Sequence, residues 1–172
     1  MVLPFLALYI NKTLGYSLEE AGIAVTMYGA GAFLSAPFAG RISDRFGARR
    51  VMITSLFLSG VMLLVLMLVQ SYPFILMATF VWAVISEAFR PASLVTITEL
   101  VTPSQRKMAF SVNRLAINLG MSIGPALGGV LIIVSYPLLF VVDSVTSIAA
   151  GVVLVLAPWG SPRRKEIGRA HV

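Results

Sequence analysis

From Val51 to Val69 the chain is almost wholly apolar, long enough as a helix to cross a hydrocarbon core about 30 Å thick. Just before it stands Gly40-Arg41-Ile42-Ser43-Asp44-Arg45-Phe46-Gly47-Ala48-Arg49-Arg50, which holds four of the thirteen Lys and Arg residues in the chain. A second long apolar run precedes that. A segment with this charge cannot lie in hydrocarbon, so it marks a point where the polypeptide leaves a bilayer and returns. Short arginine-rich loops stay on the cytoplasmic side. Asp44 is placed to pair locally with the arginines around it. Gly40 and Gly47 suit a tight turn or a close approach to another helix.

Composition agrees with a membrane solvent. The chain is 58% hydrophobic and 12% charged, with a mean hydropathy of +0.93, whereas soluble domains carry about 25% charged residues. The net charge of +6 does not point to nucleic acid, because the basic residues fall in short loops beside apolar runs. With no Cys, and His171 in the tail as the only His, no disulfide, thiolate metal site or histidine-based catalytic constellation can be assembled. No cofactor and no enzymatic activity is expected.

Taken in order, the chain reads as an all-α polytopic bundle. Residues 1–10 are apolar but span only about 15 Å as a helix. They read as the outer half of a truncated first span, with Met1 an internal methionine. Ser17-Leu18-Glu19-Glu20 supplies a cap and an acidic first turn for the next helix. Spans are expected at about 18–38, 51–69, 73–98, 108–134 and 138–157, forming one unit over 1–158 with a cytoplasmic tail at 159–172. In the second span Gly31, Ser35 and Ala39 recur every four residues, as do Ala32, Ala36 and Gly40, and such stripes let helix backbones approach. The uniform run 51–69 reads as lipid-facing.

Cytoplasmic Lys and Arg are expected to be Arg41, Arg45, Arg49, Arg50, Arg106 and Lys107, with Arg163, Arg164, Lys165 and Arg169 in the tail. The external loops hold only Lys12, while Arg90 and Arg114 lie within spans. Stretches 40–50 and 102–107 and the C-terminus are therefore read as cytoplasmic. From Ile167 to Val172, with Glu166, the tail reads like a sequencing adapter translated in one frame, and it carries no functional weight here.

The spacing G-x-x-x-D-R-x-G-x-R-R is more particular than a generic basic loop. Gly40, Asp44, Arg45, Gly47 and Arg49 match the loop between the second and third helices of the major facilitator superfamily, which this stretch resembles. Ala48 stands where the family usually has a basic residue, with Arg50 two places later. In the fifth span Gly120, Gly124, Pro125, Gly128 and Gly129 resemble the fifth-helix motif of the superfamily's proton-coupled drug-efflux antiporters. Small residues at this spacing commonly mean close helix packing alone. Pro125 removes a backbone hydrogen bond and the glycines let the helix bend.

The resemblance implies a six-helix N-terminal half of a twelve-helix transporter in a bacterial cytoplasmic membrane, working with a second half that follows. It implies alternating access, with a small-molecule substrate and protons as partners. Arg90 resembles the fourth-helix arginine implicated in proton coupling.

Charged residues inside spans are costly and usually functional. Glu87 and Arg90 lie three apart, on one helical face, just before Pro91. One reading is an intrahelical salt bridge that only neutralises two charges. The other is proton exchange at Glu87, facing a central path. Arg114 and Asn118 are one turn apart and either line that path or, for Arg114, snorkel to the cytoplasm. Asp143 lies about two turns from the outside. Glu99, at the cytoplasmic rim, is expected to pair with a loop arginine. Uptake of a sugar or other metabolite by the same fold, and a membrane scaffold without transport, are the competing readings.

Overall fold

A computed structural model describes residues 1–159. The tail beyond Trp159, including the adapter-like segment, lies outside the described residues. Among those described there are seven α-helices and no strand: α1 (Leu3–Lys12), α2 (Leu18–Phe46), α3 (Ala48–Leu68), α4 (Tyr72–Glu87), α5 (Phe89–Leu100), α6 (Arg106–Val134) and α7 (Tyr136–Leu156), with a single 3-10 turn at Pro103–Gln105. Four segments are long and apolar enough to cross a membrane: Ala48–Leu68, Tyr72–Leu100, Pro103–Val134 and Tyr136–Leu156. A fifth is α2, bent by 47° between Leu18–Ser35 and Pro37–Phe46. The bend follows from Pro37, which has no N–H to offer the preceding turn.

The expected cap of α2 is present. Ser17 accepts from the Glu20 amide at 3.1 Å, and the Glu20 carboxylate accepts from the Ser17 amide at 2.8 Å. Its C-terminal end departs from expectation. Residues 40–46 are helical, not a loop, and the only break before α3 is Gly47, at φ +88°. Nothing in residues 38–46 stops a helix, and an exposed arginine-rich helix end needs no loop to reach water. Gly40 sits inside α2 with open space where a β-carbon would be, so it makes no close approach.

The helices pack through small residues. A β-carbon on Gly31 would lie 2.6 Å from the Phe80 carbonyl oxygen and 2.8 Å from the Ala83 β-carbon. Ser35 donates to the Val84 carbonyl at 2.8 Å, so Gly31 and Ser35 of the first stripe seat α2 on α4, and Ala39 is buried in line with them. The reading of 51–69 as lipid-facing is corrected for one face: Leu58, Val61 and Leu68 are exposed, whereas Ser55, Ser59 and Leu63 are buried. Of the four straight spans α3 is the most enclosed, with 39% of its apolar window buried, against 6% for the span containing α6. Gly60 and Gly151 admit Ile148 and Phe57 across the α3–α7 contact, and Ser144 donates to the Gly60 carbonyl at 2.8 Å. Where lipid is as apolar as the core, this dense packing and its hydrogen bonds hold the helices together.

The main core gathers at the end of the bundle opposite Gly47. Leu6 and Ile10 from α1, Leu63 and Leu66 from α3, Ile75 from α4 and Leu139 and Phe140 from α7 are buried there. Three tyrosines close that end: Tyr9 donates to the Met67 carbonyl, Tyr16 to that of Gln70 and Tyr72 to that of Glu20. A smaller cluster of Ala48, Val51, Met52 and Ala92 joins α3 to α5 at the other end.

Candidate functional site

Pro91 organises the site. Lacking an N–H, it cannot complete the helical bond to the carbonyl four residues back, which belongs to Glu87. The helix breaks there: α4 ends at Glu87 and α5 starts at Phe89. The two charges foreseen in this span flank the break and do meet. Arg90 Nε lies 3.1 Å from Glu87 Oε2. Glu87 has a second partner, the Tyr28 hydroxyl on α2, which donates to Oε1 at 2.8 Å. Each carboxylate oxygen thus holds one donor. The Glu87 side chain is only 19% exposed, whereas that of Arg90 is 72% exposed.

Tyr28 is fixed from behind. Its ring lies 5.1 Å from that of Trp82, centroid to centroid, and the indole N–H of Trp82 donates to Ser59 Oγ on α3 at 3.0 Å. The site therefore draws on α2, α3, α4 and α5. Tyr28 is absent from the sequence-based candidates because it stands 59 positions from Glu87, and nothing in its own neighbourhood marks it.

The other candidates fall elsewhere. Asp143 lies against residues 1 and 2: its Oδ2 accepts from the Met1 backbone nitrogen at 2.8 Å and from the Val2 amide at 2.9 Å. Arg114 and Asn118 are exposed on α6, and among the described residues neither side chain makes a hydrogen bond or ion pair. Glu99 is exposed and, among the described residues, has no ion pair with a loop arginine.

Of the glycines on α6, Gly128 is the tight one, with Phe5 Cε2 2.5 Å from where a β-carbon would sit. Gly124 and Gly129 stand in looser contact with Met1 and Phe5, and Gly120 faces open space. The helix runs unbroken through Pro125.

At the α2–α3 corner Asp44 has no ion pair within the described residues, contrary to the local pairing expected of it. Arg45 instead lies over the Phe46 ring at 5.5 Å. Arg49 reaches the end of α7, where Nη2 donates to the Val155 carbonyl at 3.4 Å and the guanidinium covers the Trp159 ring at 4.7 Å. A cation at a helix C-terminus is favourable, so this arginine ties the start of α3 to the end of α7. Arg41 and Arg50 are exposed.

The family model described as Major Facilitator Superfamily matches residues 1–171. The chain belongs to the major facilitator superfamily. It is 30% identical, over 96% of its length, to the multidrug resistance protein MdtG of Salmonella heidelberg. To MdtG of Proteus mirabilis it is 32% identical over 74% of its length. To the MFS-type transporter YqjV of Bacillus subtilis it is 28% identical, again over 74%. These matches cover 41%, 32% and 31% of the relatives, so the chain spans about a third of their length.

Proposed function

We propose that these helices form the N-terminal half of a secondary transporter that exports small molecules in exchange for protons, by rocking against a second half. The observation that carries this reading is the Glu87 carboxylate inside a span, held at a helix break by one exposed cation and one hydroxyl. A buried acid with replaceable partners can take up and release a proton. One locked into main-chain donors cannot do so without loosening the fold. The relatives named multidrug resistance proteins support efflux over metabolite uptake.

In this reading the α2–α3 corner is cytoplasmic and helps keep that side closed when the site opens outward. Its arginines satisfy the charge rule for cytoplasmic segments, and Arg49 gives the corner a purchase on α7. Arg114 and Asn118 supply polar groups to the substrate path. The glycines of α6 serve close packing.

The test is substrate flux in vesicles that contain the complete transporter, with and without an imposed pH gradient. Gradient-driven efflux in the wild type that is lost in Glu87→Gln supports the proposal. Flux indifferent to both the gradient and the substitution refutes it.

A further inference from the structure

The two partners of Glu87 differ in what they can do. A guanidinium has five N–H donors and no acceptor, whereas a phenol both donates and accepts. Arg90 therefore bonds strongly only to the ionised carboxylate, where charge assists. Tyr28 can donate to the carboxylate and, by turning its O–H, accept from the carboxylic acid.

We propose that Tyr28 is the positioning residue of the coupling site, keeping hold of Glu87 in both protonation states while Arg90 is held in only one. The inference rests on the proton-exchange reading above and deepens it. When a proton from the aqueous path adds to Oε1, the new O–H donates to the Tyr28 oxygen. The phenol keeps its own proton and turns it away. No bond other than the new O–H forms, and none breaks within the protein.

The consequence is directional. Protonation weakens the contact across the Ala88 break, Glu87 to Arg90, and leaves the contact from α4 to α2 in place. The ring packing on Trp82 and the indole bond to Ser59 fix the phenol while its O–H rotates. Among the described residues, the charged or titratable side chains in contact with Glu87 are Tyr28 from α2 and Arg90 from α5, while α3 presents Ser59 to Trp82.

Tyr28→Phe keeps the ring on Trp82 and removes only the hydroxyl. In the complete transporter, reconstituted in vesicles, the dependence of rate on pH should change, but by less than in Arg90→Gln, since the hydrogen bond lost is charge-assisted only in the ionised state. Substrate KM should be little changed, and the double variant Tyr28→Phe/Glu87→Gln should behave as Glu87→Gln alone. Infrared difference spectra of the protonated Glu87 carboxyl, which need no turnover, should show its C=O stretch altered in Tyr28→Phe.

A profile and carboxyl band that superimpose on the wild type, with Glu87→Gln still uncoupled, overturn the role of Tyr28 alone. Unaltered gradient-driven flux in Glu87→Gln overturns the proton-exchange reading and this inference with it.

Discussion

Glu87 and Asp143, each in a membrane span and each with hydrogen-bonded partners, are held in opposite ways. Glu87 rests at a proline-made break between two side chains, one of them 72% exposed. Asp143 rests in an unbroken helix and is bound to main-chain nitrogens at the start of α1. The cost of burying either charge is similar, but only the first can exchange its partners by moving side chains. To release Asp143 the α1 helix must shift, and α1 carries Leu6 and Ile10 in the heart of the core. The contrast separates a group suited to work from a group suited to hold.

Substitution can break this contrast at several points. The largest effect is expected for Glu87→Gln, which removes the titrating group and leaves the amide bonded to Tyr28; gradient-driven efflux should vanish while the helices still assemble. Next comes Arg90→Gln, which leaves the acid without its cation. It should alter the pH dependence of efflux more than Tyr28→Phe does, because among the described residues Arg90 is the charged partner of Glu87.

Pro91→Ala should have an intermediate effect. The new N–H can complete the helical bond to the Glu87 carbonyl, so thermal unfolding in detergent should occur at higher temperature, while the transport rate falls as the break stiffens. Asp143→Asn should do least to transport. It should lower stability by about 1–2 kcal/mol, as for a weakened hydrogen bond to a charged group, with the pH profile of efflux unmoved. A shifted profile in Asp143→Asn would erase the distinction between the two acids.

Much of the bundle was legible because membrane spans announce themselves by length and hydropathy, and because Ser17 and Glu20 form a local capping box. What failed was direction. The run 51–69 is apolar on every side, so its composition hides which face is buried. The clue was Ser55, Ser59 and Gly60, three small residues on the side that packs against α4 and α7. The stretch 40–50 was misread because its charge fixes only that it reaches water, not whether it is coiled.

In the site, the Glu87–Arg90 pair was legible from a three-residue spacing. Tyr28 was not, nor was the partnership of Asp143 with residues 1 and 2, since both contacts join distant parts of the chain. The choice between two small-residue stripes on α2 likewise needed the partner helix, whose Phe80 carbonyl sits where only a glycine can face it.

The most direct measurement is proton release on substrate binding, followed with a pH indicator in weakly buffered detergent solution of the complete transporter. Substrate should drive protons off the wild type and the Asp143→Asn variant, and none off Glu87→Gln. Equal release from wild type and Glu87→Gln would contradict a coupling role for this carboxylate.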